Sequence, residues 1–330
     1  MKNIQKTHPL TLMSRMCFFI LKIERMIEMS SFNLENSTAI QGNGNNIPVI
    51  GHLTWYSLAE QMYSREDIRQ GLINSGLDEH WLPPVIRLPD AFRRATSAVE
   101  CRRVSDQEGK HYNYLIREVA YDATFIQRNI VMETVDRAGK RLEYNPEAAI
   151  LTLDKEQGTI NIQVLSKNAE DITKEALRLF ELFKNHYNSQ MVRGMIHRIH
   201  NSLAPISVKP SGGIYFIPIR FESTLKSLCH FIQGLDNGFS HSIKVINDAE
   251  SRDMVRDNLL AHLKGIYGGC HNSLKEDVPK GKIKAILEGA KNAINDFKEY
   301  EVLLSDEVNN MQTYIELIKQ QVSLLLNKIE

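Results

Sequence analysis

The chain has 330 residues, 42% of them apolar and 24% charged, with 40 Lys+Arg against 40 Asp+Glu. That length supports two domains with cores of their own, and a net charge of zero excludes a nucleic-acid coat or a membrane-surface protein that works by bulk charge, though not local patches. The cysteines Cys17, Cys101, Cys229 and Cys270 form no CxxC pair, which excludes a zinc knuckle or a disulfide framework and points to a reducing cytoplasm.

The apolar run Leu10–Ile23 follows Lys2 and Lys6, but Arg15 and Lys22 interrupt it and it is too short to span a bilayer. Residues 1–30 read as a disordered or artefactual leader, and Ser30–Asn46 reads as a polar linker. Folded structure is expected from about Pro48. Ser64-Arg-Glu-Asp67 opens a helix by capping, with Ile68 and Leu72 on its apolar face and Gly76 at its end. Pro89-Asp90 starts a second, shorter helix through Phe92 and Ala95.

From Tyr112 the period changes from helical to strand-like. Tyr112–Val119, Ile126–Asp136, Ala148–Asp154 and Thr159–Leu165 are rich in Ile, Val, Thr and Tyr, and turn residues separate them. Short connections imply antiparallel neighbours, hence a meander. A long helix is then expected from Ala169 through Ser202, stopped by Pro205. Ser211-Gly-Gly213 marks a hairpin between two strands. A helix over Leu225–Leu235, a strand over Ser242–Ile246, a helix over Asp248–Ile266 and a loop at Gly268-Gly-Cys-His-Asn272 follow.

The last fifty residues carry a heptad seam through Ile294, Phe297, Leu304, Val308, Met311, Ile315, Ile318, Val322 and Leu325, broken by Glu301. No proline falls after Pro279, so one helix of about 70 Å is possible at 1.5 Å per residue. Two uses are open to it, self-association between chains or packing within its own chain. The predicted fold class is α+β: an antiparallel β meander with flanking helices, a second small α/β unit with a Gly-tipped hairpin, and a long C-terminal heptad helix. The expected divisions are 1–46 leader and linker, 47–167 N-terminal α+β unit, 168–280 second α/β unit, and 281–330 coiled-coil or bundle helix.

Function is less legible. Between Glu181 and Glu222 there is no acidic residue, and this interval holds Lys184, Arg193, Arg198, Lys209 and Arg220, with His186, His197 and His200. A basic helix followed by a hairpin is how a winged helix meets DNA. Lys184, Arg193, His197, Arg198, His200, Lys209 and the backbone at Gly212 and Gly213 are therefore the candidate contacts for nucleic acid, or for an acidic protein partner. The competing reading pairs these bases with acids elsewhere in the fold. His197-x-x-His200 lacks the third and fourth ligands zinc wants, so no metal and no cofactor are expected.

A second class is a metal-dependent nuclease: Asp90, Glu108 and Lys110 imitate a PD…ExK pattern, in which two carboxylates hold the metal and the lysine orients water. A third class is a structural or regulatory protein-interaction module. The leading expectation is a non-catalytic, self-associating cytoplasmic protein with no membrane span, a homo-oligomer whose basic helix–hairpin makes the contact.

Asp90-Ala-Phe-Arg-Arg-Ala-Thr96, Ile130-Val-Met-Glu-Thr-Val-Asp136 and Gly212-Gly-Ile-Tyr-Phe-Ile-Pro218 together resemble an uncharacterised family of prokaryotic and phage proteins of unknown function, over roughly residues 50–270. Those motifs read as structural, and the resemblance implies a bacterial or mobile-element source but no activity.

Overall fold

The computed structural model describes residues 48–105, 111–136, 139–210, 212–304 and 309–329. It is mixed α+β with antiparallel sheets, in keeping with the predicted class.

Strand β1 (Val49–Ser57) is followed by the short β2 (Met62–Ser64) and helix α1 (Arg65–Asn74). The Ser64 side chain accepts from the Asp67 amide at 3.3 Å, and Gly76, at φ +73°, ends the helix as its sequence implied. Helix α2 (Leu88–Ala98) carries a proline in its first turn and buries Ala91, Phe92 and Ala95. Five strands come next: β3 (Cys101–Ser105), β4 (His111–Tyr121), β5 (Phe125–Val135), β6 (Arg141–Asp154) and β7 (Ile160–Val164). They form a meander in the order β3-β4-β5-β6-β7. The first two expected strands do pair, as β4 and β5, with Ile116 opposite Ile130. Strand periodicity puts Tyr112, Tyr114, Ile116, Ile126, Ile130, Leu151 and Leu153 into one core with Phe92, Ala176 and Phe180.

The helix expected over Ala169–Ser202 is two helices, α3 (Glu170–Asn185) and α4 (Ser189–Asn201), separated by strand β8 (His186–Asn188). Tyr187 and Met191 keep helical spacing, which hid the break. Its cause is local and tertiary at once. The Asn188 side chain accepts from the Met191 amide at 2.9 Å and starts a new helix, while Tyr187 is fully buried and donates its hydroxyl to the Pro83 carbonyl at 3.1 Å. β8 pairs with β2, Tyr187 opposite Tyr63, so the caps of α1 and α4 sit on one two-stranded ribbon.

Strands β9 (Ile206–Ser207) and β10 (Tyr215–Pro218) form the expected hairpin, with Gly212 at φ +72° and Gly213 at φ +91°. Helix α5 (Glu222–Gln233) and strand β11 (Phe239–Ile246) follow. These strands complete a sheet in the order β11-β1-β10-β9. Segments placed in separate units by the sequence reading thus share one sheet, and Pro48–Glu330 is a single compact unit. One face of this sheet meets α1, α4 and α5 through Ile217, Ile196, Ile199 and Phe231. The other meets the C-terminal helices through Ile50, Ile206, Phe216 and Val245.

Helix α6 (Ala249–Lys275) runs straight through the segment expected to be a loop at Gly268–Asn272. Two glycines cost a helix about 1 kcal/mol each. Burial of Leu263 and Cys270 on one side of that helix offsets the cost. The heptad stretch is helical as expected, but as α7 (Lys280–Leu304) and α8 (Asn309–Ile329), and not as one continuous 70 Å rod. The Lys328 ammonium donates to the Ser273 and Glu276 carbonyls, at 3.0 and 2.7 Å, which puts the end of α8 at the end of α6. Near the other end of the pair, Gln312 on α8 donates to the Glu301 carboxylate of α7 at 3.3 Å. α7 therefore runs antiparallel to its two neighbours in a three-helix bundle.

Candidate functional site

The seam proposed for contact between chains is occupied inside this one. Phe297, Leu304, Met311, Ile315, Ile318, Val322 and Leu325 are buried in the same core as Ile50, Phe216 and Leu263, with Ile294 packed at its margin. Val308 lies outside the described residues. Tyr300, on a flanking register, is fully buried and donates its hydroxyl to the Ala204 carbonyl, tying α7 to the turn after α4.

The basic interval is largely answered by its own fold. Lys184 pairs with Glu181 at 2.8 Å. Arg193 donates to the Leu58 carbonyl at 2.8 Å and faces Glu60 at 3.5 Å, which ties helix α4 to the end of β1. Arg198 donates to the Trp81 carbonyl at 2.7 Å, and Arg220 pairs with Glu299. His197 is exposed and shares a hydrogen bond with Asn201 at 3.1 Å. His200 is the opposite case, only 2% exposed. Its ring lies edge-on to Tyr215, centroids 4.7 Å apart, and 6.1 Å from Tyr56. Burial, with His197 adding to it, pushes its pKa down to about 4, so it is neutral at pH 7 and supplies no cation. Its Nε2 has no hydrogen-bond partner among the described residues.

Lys209, Gly212 and Gly213 remain at the surface. The Gly212 amide donates to the Lys209 carbonyl at 2.8 Å and the Val208 amide to the Ile214 carbonyl at 3.1 Å, which closes the turn. Register places this turn at a defined end of the sheet. Tyr215 is opposite Thr54, so the hairpin tip projects beside Trp55, Tyr56 and Ser57. On the far side of β1, Trp55 is opposite His241 and Ser57 opposite Phe239.

That end of the sheet collects residues that sequence reasoning did not single out. Phe239 is 51% exposed, and its ring meets His241 at 4.3 Å, which in turn meets Trp55 at 5.6 Å. Ile243, 52% exposed, lies opposite Leu53 on the same face. The helical bundle covers Phe216, Val245 and Ile50, and among the described residues Phe239 and His241 are left exposed and Trp55 half-buried. The signal that would have found them is the alternation Leu53-Thr-Trp-Tyr56, which marks a strand. The partner strand was expected over Ser242–Ile246, which stops short of Phe239 and His241, and no local pattern pairs it with β1.

Of the nuclease pattern, Asp90 sits in the first turn of α2, bound to Arg87 at 2.7 Å, while Glu108 and Lys110 lie outside the described residues. Among the described residues no group of three or more His, Cys, Asp or Glu could hold a metal ion, and no helix is long and apolar enough to cross a membrane.

No curated protein and no solved structure matches the chain. A family model described as a family of unknown function (DUF6744) matches residues 49–330, from the first residue of β1 through the helical bundle, and the chain belongs to that family.

Proposed function

We propose that the chain is a non-catalytic cytoplasmic protein, of bacterial or phage source, that holds single-stranded nucleic acid at the hairpin end of its four-stranded sheet. The observation that carries this reading is the row Trp55–His241–Phe239, three linked rings on an open sheet face beside a glycine-tipped turn with the exposed Lys209. Every base has a flat apolar face, so such rings bind bases by stacking with little regard to sequence. Lys209 and the backbone at Gly213 supply phosphate contacts, the Gly212 amide being taken by the Lys209 carbonyl. A duplex hides its base faces, and the paired state of Arg193 and Arg198 leaves less charge for the groove contacts a winged helix makes.

The test is anisotropy titration of labelled single- and double-stranded DNA and RNA at two salt concentrations. The single strands should bind more tightly. Phe239→Ala should weaken them by about 1–3 kcal/mol, the usual worth of one stacked ring. Lys209→Gln should lower the salt slope by roughly one. If the wild-type chain binds no nucleic acid at low salt, the reading fails and an acidic protein partner takes its place. Cleavage of the labelled strand with Mg²⁺ present would move the assignment to the nuclease class.

A further inference from the structure

Among the described residues, strand β7 is the last strand of the meander, hydrogen-bonded to β6 on one side only. Open edges are templates for pairing, and proteins blunt them with charge, proline or bulges. The opposite edge of this sheet is blunted in that way. β3 carries Arg102 and Arg103, Arg103 has φ +56°, and the register to β4 shifts between Cys101 and Val104. β7 has none of these devices. Thr159-Ile-Asn-Ile-Gln-Val-Leu-Ser166 contains no charged residue and no proline. Val164 is 42% and Leu165 59% exposed, and Asn161 and Gln163 are exposed as well.

The order of residues in β7 names the occupant. Ile160, Ile162 and Val164 lie on the helix-covered face, opposite Leu153, Leu151 and Ala149. Asn161 and Gln163 lie on the other. Read from either end, the strand is apolar, amide, apolar, amide, apolar. An antiparallel pairing of β7 with itself, centred on Ile162, sets Ile160 against Val164 and Asn161 against Gln163. Every apolar side chain then meets an apolar one, and every amide meets an amide with both donor and acceptor to offer. That is the self-complementarity an isologous two-fold contact requires, and an unrelated strand would not demand it.

We infer that two copies of this chain join edge to edge through β7, making one continuous ten-stranded sheet. The heptad helices take no part in this contact, and the inference does not depend on nucleic-acid binding.

Residues opposite one another in an antiparallel pair have Cα atoms about 4.5–5.5 Å apart, inside the roughly 4.4–6.8 Å a disulfide spans. Full-length Ile162→Cys should therefore cross-link to a covalent dimer under mild oxidation. Val164→Cys should not, because its two copies lie four residues apart along the strand, about 13 Å. Wild-type chain at about 100 μM should show twice the chain mass by light scattering. Asn161→Lys with Gln163→Lys should be monomeric, and mixing it with Asn161→Glu, Gln163→Glu should restore the dimer, which shows that both variants fold. A wild-type monomer at that concentration overturns the inference. So does equal cross-linking at positions 162 and 164, or a lysine variant that stays dimeric.

Discussion

Ile318→Ala decides how the heptad stretch is used. Ile318 is fully buried on α8, in a core shared with α6, α7 and the four-stranded sheet. The change removes three carbons, about 2.4 kcal/mol at roughly 0.8 kcal/mol each. The cavity left behind adds to that, and comparable core truncations cost about 2–5 kcal/mol in all. We expect about 3 kcal/mol, seen as a lower denaturation midpoint in urea with the slope unchanged. Leu324 is the internal control, on the same helix but 52% exposed, and Leu324→Ala should cost under about 0.5 kcal/mol. Light scattering at fixed concentration should give the same mass for both variants and the wild type. If Ile318→Ala halves the mass while stability barely moves, or if the two variants cost the same, the seam serves contact between chains and the intrachain bundle is wrong.

Two further outcomes follow from buried polar groups. His200 has its folded-state pKa depressed from 6.5 to about 4, so the unfolded chain takes up its proton first as pH falls. Its contribution to stability is complete above about pH 6.5 and is lost on descending to about pH 4, by about 3 kcal/mol at most. His200→Phe keeps a ring against Tyr215 and removes the titration, and urea unfolding of this variant at pH 7 and 4.5 should show a smaller loss than the wild type. An identical loss would mean that His200 is protonated in the fold. Tyr300→Phe leaves the buried Ala204 carbonyl without its donor and should cost about 1–2 kcal/mol in the same assay, whereas a neutral result would remove this bond from the account of how α7 is held.

Much of the local structure was determined by the sequence itself. The Ser64 cap with its Gly76 stop, four of the five meander strands and the turn at Gly212 and Gly213 are where short-range chemistry put them, because caps, turns and alternation act within a few residues. The heptad periodicity correctly marked the side of α7 and α8 that is buried. Periodicity reports which side of a helix avoids water, but it is blind to what covers that side. Only the tertiary structure decided that the cover is α6 and the sheet of the same chain. The break at Tyr187 was likewise hidden, since a buried tyrosine has the same spacing in a helix and in a three-residue strand paired with β2. The charges of Arg193 and Arg198 were plain in the sequence, but their partners are the Leu58 and Trp81 carbonyls, 135 and 117 residues away. The ring row needed most of all the pairing of β1 with β11, a contact whose register no local signal specifies. Strands in one sheet owe their neighbours to long-range burial, and that is a property of the whole fold.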